Sequence, residues 1–372
     1  MTTGRLYGLD HLRALAILLV LFFHYHLNIF GHPPWLKDIA KFGWTGVDLF
    51  FVLSGFLISS QLFAQIKETG YFSFRDFFLK RFFRIIPAFW VTVAIYFCIP
   101  QFHERETLPP LWKYLTFTQN LGLNIAEYGT FSHAWSLCVE EHFYLLLPLA
   151  LLGLIYIGFL KKSYWILPAL FVLGFFLRYL GWNLYQQHIE DEGSWAYWYQ
   201  YVYYPSYNRL DGLLAGVSIA AAYYFAPNTW TKISQRGNWL FLFGLIVLSL
   251  AYWICYEEHS FRASLFGFPV VAIGYGLLVT AALSPACFLY KKASRVTSFI
   301  AMLSYSVYLT HKGIIHITQN FLLQQGFDIN STLTLLICFA ACLLAALILT
   351  LVIEKPFMLL KEKMLGIIKK NL

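Results

Sequence analysis

The sequence predicts an all-α, polytopic integral membrane protein, and three observations carry that expectation. Of its 372 residues, 59% are hydrophobic, 20% aromatic and only 12% charged, whereas a soluble domain carries about 25% charged residues. Apolar stretches of about 20 residues, long enough to cross a hydrocarbon core as helices, recur along the chain and number roughly ten. Lysine and arginine cluster on alternate connections between them, as the positive-inside rule requires.

The transmembrane helices are expected to start near His11, Gly43, Phe83, Ala134, Tyr164, Tyr207, Asn238, Leu265, Ser298 and Ser331. One set of connections holds Lys67, Arg75, Lys80, Arg81 and Arg84, then Lys161 and Lys162, Lys232 and Arg236, Lys291, Lys292 and Arg295, and the tail from Lys355 to Lys370. The other set holds only Lys37, Lys41, Arg105, Lys113 and Arg262. This asymmetry places both termini in the cytoplasm. The formal charge of +8 is therefore mainly topological, and nucleic-acid binding is a poor reading of it. The first apolar run lacks a small-residue cleavage site and is expected to remain as a span. No linker and no internal repeat divides residues 1–372, so one transmembrane domain is expected. Cys98, Cys138, Cys255, Cys287, Cys338 and Cys342 lie mostly in apolar runs without CxxC spacing, which reads as packing and not as a disulfide or zinc framework.

The first span, LDHLRALAILLVLFFHYH (Leu9–His26), holds Asp10 and Arg13 near one end and His24 near the other. Ionisable groups inside a span cost free energy and usually mark a pathway or a site. Eleven helical residues advance about 16 Å through three turns, so Arg13 and His24 share one face. One continuous cavity is expected along that stripe. His26 points elsewhere, which argues against a metal at the two histidines. The second span, GWTGVDLFFVLSGFLIS (Gly43–Ser59), buries Asp48. At the start of the third stands KRFFRIIP, with Lys80 and with Arg81 and Arg84 one helical turn apart. Together with Arg13 these forks suit a phosphate-bearing ligand. A plain juxtamembrane basic cluster explains the same residues.

Gln101 to His133 forms the longest non-spanning piece, with LPPLWKYLTFTQNLGL (Leu108–Leu123) suited to the interface. SHAWSLCVEEHFY (Ser132–Tyr144) then carries Trp135 and buries Glu140 and Glu141. The acidic, aromatic stretch Gln186–Pro205 reads as an interfacial belt or, more sharply, as a sugar-stacking rim. YNRLDGLLAG (Tyr207–Gly216) places Arg209 and Asp211 at a helix start, either to meet an acceptor or as a structural ion pair. In LSYSVYLTHKG (Leu303–Gly313), Ser304, Tyr308 and His311 share one face. A buried histidine with Asp48 and Glu140 on neighbouring helices matches general-base chemistry. A neutral imidazole oriented by a carboxylate takes a proton from a bound hydroxyl, whose oxygen then attacks an acyl carbonyl.

With these residues assembled, the chain resembles the type-3 membrane acyltransferase family, bacterial enzymes that O-acylate surface glycans and some small molecules. The likeness runs from about Leu9 to Phe357. It rests on Arg13 with ten residues before His24, GVDLFFVLSGFLIS, the Arg81-x-x-Arg84 pair, WSLCVEE with Tyr144, SYSVYLTH and the terminal EKPF. The resemblance implies a multi-pass enzyme of the bacterial inner membrane that takes an acyl group, acetyl by default, from cytoplasmic acyl-CoA. Arg13, Arg81 and Arg84, with Lys80 beside them, would bind the acyl-CoA. His24 would act in catalysis, with Glu140 the glutamate that fits the family pattern. Trp135, Arg209, Asp211, Tyr308 and His311 are expected on the acceptor side, the acceptor being a glycan such as O-antigen, capsule or exopolysaccharide. No permanently bound cofactor or metal is expected, and a homo-oligomer is left open. His142 stands where glutamine is frequent. The sequence shows no appended esterase-like domain, so transfer is expected to finish within the membrane unit or with a separate partner. The rival readings are an acyltransferase acting on a small molecule from the cytoplasmic side, a secondary transporter, and a sensor or scaffold. Missing repeats count against the transporter.

Overall fold

A computed structural model describes residues 6–27, 30–159 and 165–366, and no strand occurs among them. Ten main helices build the molecule: α1 (Tyr7–His26), α2 (Gly46–Thr69), α3 (Phe74–Cys98), α4 (Trp135–Tyr156), α5 (Ile166–Gln186), α6 (Asp211–Phe225), α7 (Gly237–Ile254), α8 (Phe268–Leu283), α9 (Arg295–Gln324) and α10 (Thr332–Leu349). Eight helical segments are long and apolar enough to cross a membrane. Helix α6, with 15 residues, and α9, with 30, are not among the eight. The run of polar side chains in α9 from Ser304 to Lys312 accounts for its lower hydropathy. The expected start near Tyr164 and the basic residues Lys161, Lys162, Lys369 and Lys370 lie outside the described residues.

Burial separates central helices from lipid-facing ones. In the apolar windows of Leu36–Thr69 and Ala263–Leu283, 67% of residues are buried, against 11% in Ile166–Gln186 and 17% in Gly237–Ile254. Helices α5 and α7 therefore turn large side chains such as Val172, Phe176, Phe243 and Ile246 outward, as a lipid solvent permits. Helix α1 lies in the middle, packed on α2, α8 and α9. Its N-terminal end is fastened to the start of α9. Ser298 donates to Asp10 at 3.0 Å, and His11 donates through Nε2 to the Lys292 carbonyl at 2.8 Å. Asp10, one of the charges in the first span, thus anchors that helix.

Helices α2 and α6 run in close contact because glycine removes the side chains between them. A Cβ at Gly55 would strike the Leu213 carbonyl, and one at Gly216 would strike Val52 and Phe56 backbone. Without a hydrophobic drive between helices in lipid, such small residues let backbones approach and pack. All six cysteines are free, and only Cys98 is exposed, in keeping with packing roles.

Between α3 and α4, residues 99–134 form a cap containing short helical turns at Pro100–Phe102, Leu111–Leu115 and Ser132–Ala134. Rings hold this cap down: Phe117 stacks on Phe89 at 4.7 Å, and Phe131 on Tyr96 at 4.2 Å. A second aromatic wall comes from Ser194–Trp198 and the π-helical turn Tyr199–Tyr203 that follows it. Such turns are frequent at functional sites.

Candidate active site

Two cavities lie along α1. The first, about 170 Å³, is lined by Arg13 from α1, Ser54 and Gln61 from α2, Arg81 and Arg84 from α3, Glu140 and Tyr144 from α4, and Ser304, Tyr305 and Tyr308 from α9. Three guanidiniums against one carboxylate make it an anion-attracting cavity. A helical turn separates Arg81 from Arg84, so both forks reach the same space. Arg81 also donates to Gln61 at 3.1 Å, which fixes its direction. The Glu140 carboxylate accepts from the Tyr144 hydroxyl at 3.2 Å, and that hydroxyl also meets Ser54. Beside this cavity a basin of about 310 Å³ continues past Arg81 and Arg84 to Lys80, Gln65 and Lys361. Lys80 faces this basin with Arg81 and Arg84.

The second cavity, about 920 Å³, opens at the other end of α1. His24, His133, Lys312 and the buried Glu104 form its polar end; Trp44, Trp135, Trp198, Tyr199 and Tyr203 form an aromatic wall; Glu106 and Glu258 stand on its rim. Val47 lines both cavities. The Tyr308 hydroxyl stands where they approach, 2.6 Å from Ser136 Oγ and donating to the His133 carbonyl at 2.6 Å. The expectation of one continuous cavity is thereby corrected. The small arginine-lined space and the larger histidine-lined space are two cavities that share Val47 in their linings and approach each other at Tyr308.

Hydrogen bonds fix the tautomer of His24. His311 Nδ1 lies 2.8 Å from the Tyr308 carbonyl and 3.2 Å from that of Val307. Carbonyls only accept, so Nδ1 carries the proton and His311 Nε2 keeps its lone pair. That lone pair faces His24 Nδ1 at 3.0 Å, and the Val20 carbonyl faces the same nitrogen at 3.1 Å. His24 Nδ1 must therefore be the donor to both. Its Nε2 is left with a free lone pair, on a side chain that lines the large cavity. This is the protonation state a general base requires.

The expected orienting carboxylates stand elsewhere, which corrects the proposed grouping. Asp48 accepts from Arg209 Nη2 at 2.8 and 3.0 Å. Asp211 accepts from Arg178 Nη1 at 2.6 Å. All four side chains are buried, and none lines either cavity. The Arg209 guanidinium lies 4.2 Å from the Phe268 ring centre and 4.4 Å from that of Tyr203, with Trp135 at 5.0 Å. Buried charges need such pairing, and this network ties α2, α5 and α6 together. Glu140 lines the arginine cavity, apart from His24. Trp135 joins the aromatic wall, Tyr308 stands between the cavities, and His311 sits behind His24. His142 contacts Ser206 Oγ at 2.7 Å, and His26 pairs with His32 at 3.0 Å.

His133 and Lys312 were missed as site residues. Both sit inside quoted motifs, SHAWS and THKG. Yet His133 precedes its helix, and Lys312 lies one residue past the expected stripe, so periodicity gave neither a direction. Among the described residues, no group of three or more His, Cys, Asp or Glu is arranged to hold a metal ion.

Comparison with known proteins gives the family. A family model described as an acyltransferase domain matches residues 6–351. The chain belongs to this acyltransferase family. It is 30% identical over 333 residues to the peptidoglycan O-acetyltransferase OatA of Listeria monocytogenes, covering 84% of this chain and 49% of that protein. It is 28% identical over 334 residues to the O-acetyltransferase OatA of Staphylococcus aureus, covering 85% of this chain and 52% of that one. The chain thus spans about half the length of the curated relatives it matches. No solved structure matches it significantly. With eight helical segments long and apolar enough to cross a membrane, it is a polytopic all-α member of this family.

Proposed function

We propose that this chain is a membrane O-acetyltransferase that moves an acetyl group from cytoplasmic acetyl-CoA to a hydroxyl of a glycan at the outer face of a bacterial cytoplasmic membrane. One observation carries the reading: a basic cavity and an imidazole-lined cavity stand end to end along α1, meeting at Val47. Arg13, Arg81, Arg84 and Lys80 hold the donor's phosphates, with the basic end turned to the cytoplasm as the excess of lysine and arginine favours. The acyl arm passes Val47 and Tyr308 towards His24.

In the large cavity the acceptor hydroxyl gives its proton to His24 Nε2 as its oxygen bonds the acyl carbon. The carbon–sulfur bond breaks, and the thiol of CoA leaves with the proton handed on by His24. His311 accepts a hydrogen bond from His24 Nδ1 throughout, and that bond strengthens when His24 becomes an imidazolium. A cavity with aromatic rings on one wall and carboxylates on its rim suits sugars, whose rings stack on apolar faces while their hydroxyls seek acceptors. The relatives named above, one called a peptidoglycan O-acetyltransferase, support a glycan acceptor.

The test is mass spectrometry of surface glycans from a strain lacking the gene and the same strain complemented with it. O-acetyl groups should disappear and return. Unchanged O-acetylation, together with no thiol release from acetyl-CoA by the purified protein, would overturn the reading.

A further inference from the structure

Five histidines line the large cavity, and His133 is one that the mechanism above does not use. His133 is 2% exposed and lines the same cavity as His24, yet neither of its ring nitrogens makes a hydrogen bond of normal geometry, although the Leu309 backbone lies near the ring. Its ring lies 4.7 Å from that of His311 and 5.8 Å from that of His24. His24 and His311 satisfy each other and the backbone; of the lining histidines His259 and His316 each leave one buried ring nitrogen without a partner, and His133 leaves both. Buried polar groups are nearly always paired, so an unpaired imidazole facing a cavity points to a bond made with something bound there.

The residue is held in place from two sides. Phe131, two positions earlier, has a left-handed backbone at φ 53°, a conformation few residues other than glycine adopt. Its N–H donates to Glu104 Oε1 at 3.0 Å, and Glu104 is paired with Lys312 at 2.8 Å. Its ring is stacked on Tyr96. On the other side the His133 carbonyl accepts from Tyr308. Backbone strain kept by surrounding structure collects at functional positions. The nearest cation, Lys312, is already engaged by Glu104 and by Ser132 Oγ at 3.3 Å.

We infer that His133 is a second catalytic histidine, donating its ring N–H to the acyl carbonyl oxygen as negative charge develops there. The inference rests on the O-acyltransferase reading above and adds the group that reading lacks. The acceptor oxygen bonds the acyl carbon, His24 takes the hydroxyl proton, and the carbonyl oxygen gains charge. When the carbon–sulfur bond breaks, the carbonyl re-forms and the sulfur leaves as the thiol with the proton from His24. His133 gains and loses no proton. A fixed donor at such an oxygen contributes about 100- to 1,000-fold to kcat.

The test uses His133→Phe, which keeps a ring without a donor, and His133→Asn, which restores one. Full-length protein in nanodiscs is given acetyl-CoA and chitotetraose, with thiol release and acetyl-CoA affinity both measured. His133→Phe should lose about 100-fold or more in kcat with acetyl-CoA affinity within roughly twofold, and His133→Asn should recover about a decade. Diethyl pyrocarbonate mapping gives a readout independent of turnover: His133 should be modified in the free protein well before His311, whose nitrogens are engaged. His133→Phe turning over within about threefold of the native rate, or His133 no more reactive than His311, would overturn the inference. Native protein that releases no thiol while its His133 reacts as expected would count against the O-acyltransferase reading, and the assigned role would fall with it.

Discussion

Replacing His311 separates a positioning histidine from the base it positions. His311→Phe keeps a ring of similar size and removes the Nε2 lone pair that accepts from His24 Nδ1 at 3.0 Å. The Val20 carbonyl, at 3.1 Å, still accepts from the same N–H, so His24 keeps its tautomer and its free Nε2. What is lost is the extra strength of the His24–His311 bond once His24 is charged. A neutral hydrogen bond contributes about 0.5–1.5 kcal/mol, and one to a charged group about 1.5–3. The differential loss is therefore about 1–2 kcal/mol, or roughly 5- to 30-fold in kcat at 1.36 kcal/mol per decade. His24→Gln, which cannot take the proton, should cost about 100- to 10,000-fold. The assay is thiol release from acetyl-CoA by the purified proteins, normalised to the folded fraction. Because His311 acts through His24, the double variant should be no slower than His24→Gln alone. Additive losses in the double variant, or near-native turnover by His24→Gln, would refute the reasoning and move the base elsewhere.

In the arginine cavity, Arg84→Ala should weaken acetyl-CoA binding by one to two decades, from the loss of about 1.5–3 kcal/mol in a charge-assisted contact. Equilibrium binding to the purified variant checks this; unchanged affinity would return Arg84 to a plain juxtamembrane role. Asp48→Asn leaves the buried Arg209 without its partner, so stability should fall by about 3–5 kcal/mol, read as a lower unfolding temperature in detergent. Native stability with turnover alone lost would instead mean that Asp48 serves the reaction. Gly216→Leu should prevent α2 and α6 from closing on each other, because even a Cβ there meets Val52 and Phe56 backbone, and the protein should fail to yield a monodisperse species on size exclusion.

How far the sequence can be read is visible in α1. Its length, its apolar content and the eleven-residue spacing of Arg13 and His24 placed one cation and one imidazole on a shared face before any neighbour was known. Composition and span length determined the all-α membrane architecture for a similar reason: in lipid the backbone must satisfy itself, and helices do so within one segment. Arg81 and Arg84 were legible because one helical turn is a local property. Which charges meet across helices was not. Asp48 and Glu140 both sit about the same number of turns into their spans, yet α2 turns Asp48 towards Arg209 while α4 turns Glu140 into the arginine cavity. Helix rotation is decided by packing, here by the glycine contacts of α2 with α6. The sequence by itself determined the helices, the basic end and the histidine stripe, all set by local spacing and by the solvent. Only the tertiary structure decided that Asp48 is paired for stability, that His311 and not a carboxylate faces His24, that two cavities approach each other at Val47 and Tyr308, and that His133 stands without a normal hydrogen bond in one of them. Those facts depend on side chains from separate helices meeting within about 3 Å, and no periodicity along one chain encodes that distance.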